Sequence, residues 1–102
     1  MKSYEVYETE TFSKILDCIT DEERSWIEKM KAQLSTNPRA GKPLGFTWFR
    51  EKKFEDKRLY FLVSLKKPRI ILVAYGPKKE QQKIIDYIML RKDEFIEFLN
   101  SF

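Results

Sequence analysis

RLYFLVSLKKPRIILVAY, residues 58–75, is the stretch on which the fold turns. Arg58 to Leu65 and Arg69 to Tyr75 are rich in branched and aromatic apolar residues, which suit a pleated surface. Lys66-Lys67-Pro68 between them is short enough for a hairpin, so the two runs read as neighbouring antiparallel strands. Gly76-Pro77 stops the second. Working outward, Gly45 to Lys52 alternates with the same period and lies only Lys53 to Lys57 away, which extends the pair to a three-strand meander. Ser3 to Glu8 alternates too, with Tyr4 and Val6 on one side and Glu5 and Tyr7 on the other, and reads as a short first strand.

Helical spacing fills the remainder. Thr9 or Thr11 caps a helix with Phe12, Ile15, Leu16 and Ile19 on one stripe, ending near Thr20. Thr20-Asp21-Glu22-Glu23 is a capping side chain followed by acids that suit a helix N-terminus, and Trp26, Ile27, Met30 and Leu34 make a second stripe ending at Asn37-Pro38. Asn37 to Leu44, with Pro38, Gly41 and Pro43, reads as a connecting loop that carries Arg39 and Lys42. From Lys78 onward, Ile84, Ile85, Ile88, Met89, Phe95, Ile96 and Leu99 predict one long helix, or two shorter ones broken near Arg91 to Asp93. The order β-α-α-β-β-β-α describes an α+β domain: an antiparallel twisted sheet with the helical hairpin and C-terminal helix packed on one of its faces.

The 102 residues fit a single domain, 1–102, and 42% apolar residues exclude disorder caused by low hydrophobicity. The longest apolar run, near Ile70 to Tyr75, is far short of the roughly 20 residues a bilayer span needs. One cysteine forms no intramolecular disulfide and no signal-peptide pattern opens the chain, so a soluble cytoplasmic protein with no membrane association is expected. Cys18, among Ile15, Leu16 and Ile19, reads as a small buried hydrophobe. The absence of histidine excludes imidazole acid-base work, Ser-His-Asp and Cys-His catalysis, and zinc sites of the Cys/His kind. No metal and no cofactor are expected, and any chemistry falls to Lys, Arg, Tyr and carboxylates.

The net charge of +4 is unevenly spread. Residues 39–79 hold twelve basic and three acidic side chains, against five and eight before them and three and five after. A basic middle between acidic flanks is what one polyanion-facing surface produces, although a solvated sheet face produces it as well. Strand alternation puts Phe46, Trp48, Arg50 and Lys52 on one face, and Arg58, Tyr60, Leu62 and Ser64 on one face of the next strand. An open surface mixing Arg50, Lys52, Arg58, Tyr60 and Trp48 has cations for phosphates and flat rings for unstacked RNA bases. Trp48 and Phe49 have a second reading, as core residues of the strand face that must be buried.

"NPRAGKPL" after two amphipathic helices, then "KRLYFLV", then "RIILVAYGPKK" before a C-terminal helix, resembles the RelE/ParE superfamily of type II toxin-antitoxin toxins over Tyr4 to about Leu90. The resemblance implies a ribosome-dependent endoribonuclease, an mRNA interferase in which the 2′-hydroxyl attacks the adjacent phosphate. By position it implies catalytic roles for Arg58, Arg50, Lys52, Lys78 and Lys79; from the residues themselves, Arg39, Lys42, Trp48 and Tyr60 are expected to contact RNA. It further implies a cognate antitoxin, the messenger and the ribosome as partners. The chain departs from the family in two places. Gln82, Lys83 and Ile84 stand where RelE has a C-terminal tyrosine, for which Tyr75, Tyr60 or Tyr87 would have to substitute, and Glu51 interrupts the basic strand, facing the core, facing solvent or serving as a base. ParE-like relatives share the scaffold and act on DNA gyrase, so gyrase inhibition is one alternative and non-catalytic RNA binding by a degenerate homologue another. Phe95, Ile96, Phe98, Leu99 and Phe102 read either as an antitoxin docking surface or as a helix packed on the sheet.

Overall fold

The computed structural model describes residues 3–101, which leaves Phe102 outside the described residues. The order is β1 (Glu5–Glu8), α1 (Glu10–Leu16), α2 (Asp21–Thr36), β2 (Lys42–Phe46), β3 (Phe49–Phe54), β4 (Lys57–Val63), β5 (Arg69–Pro77), a single 3-10 turn (Lys78–Glu80), α3 (Gln81–Leu90) and α4 (Lys92–Asn100). The strands form one sheet in the order β1-β5-β4-β3-β2, antiparallel throughout except that β1 runs parallel to β5. The α+β class and the β4–β5 hairpin are as the sequence predicts.

Both helix starts follow from their capping residues. Thr9 Oγ1 accepts the Phe12 N–H at 3.0 Å. At α2, Thr20 Oγ1 accepts the Glu23 N–H while Glu23 Oε1 accepts the Thr20 N–H, each at 3.1 Å, so two otherwise orphaned donors are satisfied reciprocally. Cys18 is exposed, because α1 stops at Leu16 and the turn that follows points the thiol outward; burial of this residue is corrected.

Two further corrections bear on the site. The expected strand Gly45 to Lys52 is two strands, broken by a hairpin at Thr47-Trp48, and part of the expected loop is the edge strand β2. An edge position accommodates Pro43, which has no N–H to donate, and Gly45 takes a φ of 90°. The helices cover both faces of the sheet rather than one. Leu59, Phe61, Ile70 and Leu72 pack under α1 and α2 with Phe12, Ile27 and Leu34, while Tyr60, Leu62, Ile71 and Val73 pack under α3 and α4 with Ile88, Phe95 and Leu99. Because Leu59 to Leu62 and Ile70 to Val73 are apolar at every position, both faces require cover. The C-terminal region is two helices meeting at Arg91, within the expected break.

A bulge then re-aims the end of β5. Tyr60 pairs with Ala74 and Phe61 with Leu72, so Val73 is the extra residue. Val73 and Ala74 consequently both face α3 and α4, and Tyr75 turns to the α1–α2 side.

Candidate functional site

The β3–β4 hairpin closes on Phe54 and Lys57 through Glu55-Asp56, with Glu55 at a φ of 54°. This tight turn fixes the register: Glu51 lies opposite Tyr60, and Lys53 opposite Arg58. Glu51, Lys53, Arg58 and Tyr60 therefore share the α3–α4 face, whereas Arg50 and Lys52 fall on the other. The expected single face carrying Arg50, Lys52, Arg58 and Tyr60 is corrected accordingly; the turn is shorter than the expected Lys53 to Lys57 separator, and a one-residue change in register exchanges the faces.

At this end of the sheet Gly41, Lys42, Glu51, Lys52, Lys53, Arg58 and Lys78 line a cavity of about 380 Å³. It brings together five cations and a single carboxylate. Arg58 is 8% exposed, and its Nη1 donates to the carbonyl oxygens of Glu55 at 3.2 Å and Lys57 at 2.9 Å. Its Nε stands 4.0 Å from Glu51 Oε1. Glu51 Oε2 accepts from Gln81 Nε2 at 2.6 Å. Lys78 is placed by its backbone, whose N–H donates to Asp56 O at 2.7 Å and ties the 3-10 turn to the hairpin. Gly41 holds φ at 96° where a Cβ would fall on the Glu51 carbonyl, so only glycine lets the β2 edge close on this cavity. Lys52 lines the cavity although its place in β3 assigns it to the opposite face.

The other predicted residues lie elsewhere. Arg50 is a brace: its Nη2 donates to the carbonyl oxygens of Arg39 at 2.9 Å and Gly41 at 3.1 Å, and its Nη1 to Thr47 O at 3.2 Å. Arg39 lines a different cavity with Tyr4, Pro38, Thr47, Val63, Ser64 and Leu65. Trp48 stacks on Phe46 at 4.7 Å between centroids and borders an apolar groove with Val63, Leu65, Ile96 and Leu99. Lys79 is exposed beside Lys78 but does not line the basic cavity. Tyr60 is fully buried, so its ring offers no face to a base. Among the described residues its hydroxyl has no partner of full hydrogen-bond geometry, and its pKa is pushed up by burial and the Glu51 charge, with the nearby Gln81 amide and Arg58 opposing. Of the expected catalytic set, Arg58, Lys52 and Lys78 share the cavity with Lys42; Arg50 and Lys79 do not.

Sequence reasoning missed Lys53 and Gln81. Lys53 was readable, being two residues from Glu51 on the same strand face. Gln81 was not, since only the 3-10 turn brings the first residue of α3 to Glu51. Such an arrangement, a buried guanidinium held flat among lysines with its Nη2 donating no hydrogen bond to the described residues, suits a phosphate that gains charge. Among the described residues no cluster of His, Cys, Asp and Glu suits a metal ion, and no helix is long and apolar enough to cross a membrane.

Among solved structures, the fold is similar to that of E. coli toxin RelE in the free state, a double arginine-to-alanine mutant, with TM-score 0.75 at 19% identity over 87% of this chain and 97% of that one. The same mutant toxin in complex with an antitoxin RelBc peptide gives TM-score 0.67 at 18% identity over 79% and 93%. The toxin-antitoxin complex RelBE2 from Mycobacterium tuberculosis gives 0.64 at 19% identity over 74% and 98%. The fold is RelE-like. No protein-family model matches the chain, and no curated protein does.

Proposed function

We propose that this chain is the toxin of a type II toxin-antitoxin system and cuts messenger RNA on the ribosome. The observation that carries the reading is the convergence of Arg58, Lys42, Lys52, Lys53 and Lys78 on one cavity of a RelE-like fold. In the proposed reaction the 2′-oxygen attacks the neighbouring phosphorus, the bond to the 5′-oxygen breaks, and a 2′,3′-cyclic phosphate remains. Arg58 and the lysines bind the phosphate and stabilise its extra negative charge. Glu51, the carboxylate of the cavity, takes the 2′-hydroxyl proton, and the Lys78 ammonium gives a proton to the departing 5′-oxygen. An antitoxin partner is supported by the two similar structures that are complexes with one. Cleavage on translating ribosomes, with 5′ ends mapped by primer extension, tests the reading. New ends that require ribosomes and vanish in Arg58→Ala are expected. Messenger left uncut by the intact protein would reject it and shift attention to a gyrase supercoiling assay.

A further inference from the structure

Arg58 is the one cation of the cavity that is buried, so its orientation depends on the groups that hold it. Three of those contacts are explicit: two backbone carbonyls on Nη1, and Glu51 Oε1 facing Nε. Glu51 itself is 8% exposed, and its other oxygen is taken by Gln81 Nε2 at 2.6 Å. A carboxylate bound at one oxygen by an amide cannot rotate freely, so its second oxygen stays directed at the guanidinium. We infer that Gln81 is a positioning residue for the proposed phosphate-binding arginine, acting through Glu51 to hold the carboxylate charge 4.0 Å from the Nε edge and leave Nη2 directed at the substrate phosphate.

The geometry sets Gln81 apart from its neighbours. Gln82, one residue on, spends its side chain on Asp86 at 2.9 Å within α3. Gln81 instead reaches across from the first residue of α3 to the middle of β3. The Gln81 amide also lies beside the buried Tyr60 hydroxyl and influences it, but its contact with the carboxylate, at 2.6 Å, is the one of full hydrogen-bond geometry. If Gln81 is lost, Glu51 is left with a buried, unpartnered oxygen that is free to seek Tyr60 or a cavity lysine, and Arg58 keeps only its two carbonyl contacts on Nη1.

This inference rests on the phosphodiester-cutting role proposed above, and the test separates the two. Gln81→Leu, Glu51→Gln and the double variant are compared for cleavage on programmed ribosomes and, in the free protein, for hydrogen exchange at the Arg58 Nε–H by NMR. Gln81→Leu should lower kcat about 10- to 100-fold per folded molecule, the scale of a small misplacement of a reacting group, with half-saturating ribosome concentration little changed. Exchange at Arg58 Nε–H should rise about tenfold, and adding Gln81→Leu to Glu51→Gln should raise that exchange no further, because residues acting as one unit are non-additive. Increases in exchange that multiply in the double variant, or unchanged exchange at Nε–H in Gln81→Leu, would overturn the inference. Should Gln81→Leu fail to fold, Gln81→Met, which keeps the length of the side chain, carries the same expectations. Should the intact protein cut nothing, the ribonuclease reading falls while the exchange measurement still decides whether Gln81 holds Arg58.

Discussion

Two buried glutamates, 7% and 8% exposed, sit on opposite faces of the sheet and are served very differently. Glu23, at the start of α2, is fully partnered: the Thr20 N–H and hydroxyl donate at 3.1 Å, Lys57 Nζ at 2.8 Å and the Tyr75 hydroxyl at 2.6 Å. Burial by itself would raise its pKa, but the Lys57 ammonium, the Tyr75 hydroxyl and the Thr20 donors prevail and hold the carboxyl at about 2. Tyr75 is in turn pushed up by burial and by the Glu23 charge. Glu51 has one hydrogen-bond donor, an arginine at 4.0 Å and a surrounding excess of lysine charge. The first cluster is balanced and ties a helix to a hairpin; the second keeps unneutralised positive charge at a cavity. Stability comes from matching a buried charge, whereas binding a phosphate requires leaving the match incomplete until the ligand arrives.

Substitutions sharpen that contrast. Arg58→Ala is expected to reduce messenger cleavage by about 10²- to 10³-fold, the usual loss when one preorganised oxyanion donor is removed, and single-turnover kinetics on ribosomes would measure it. Next in size, Glu23→Gln should destabilise the fold by about 2 to 3 kcal/mol, read from urea unfolding at neutral pH, because four donors lose their charged acceptor.

The acid limb of stability should follow Glu23 as well. Its folded pKa lies below an unfolded value of about 4.3, so the stabilisation is complete above that value and is lost as pH falls towards the folded pKa. Glu23→Gln should flatten unfolding free energy between these limits, and an unaltered slope would mean that other carboxylates dominate. Tyr75→Phe should cost about 1 kcal/mol, the worth of a hydrogen bond to a charged acceptor partly offset by retained packing. At the small end, Lys53→Gln should reduce the slope of log affinity against log salt by about 0.7 for a single-stranded oligonucleotide, as expected for the loss of one phosphate contact.

The strands β4 and β5 and helix α2 were legible because each carries a strong local signal: unbroken apolar runs on either side of a short basic spacer, and a capping box at Thr20 and Glu23. The cover on both faces was implicit in those same runs, where no position of Leu59 to Leu62 is polar. What stayed hidden depends on single-residue geometry. The turn at Thr47-Trp48 lies inside a stretch with continuous strand character, and its edge strand contains proline and glycine that normally argue for a loop. The register set by Glu55-Asp56 moved Arg58 away from Arg50, and the bulge at Val73 carried Tyr75 to Glu23. Within the site, Arg58, Lys52, Lys78 and Lys42 were readable as basic residues of the central segment. Glu51, which interrupts that basic pattern, stands beside Arg58, and the Gln81 contact that holds it is set by tertiary structure alone.

The most direct test is a side-by-side measurement of messenger cleavage per folded molecule for Arg58→Ala and Glu23→Gln on translating ribosomes. The expected result is an Arg58→Ala protein that is folded and almost inert, and a Glu23→Gln protein that is less stable but cuts at the full rate per folded molecule. Equal loss in both, or cleavage that survives Arg58→Ala, would contradict the division of the molecule into a balanced structural cluster and a cation-rich reactive one.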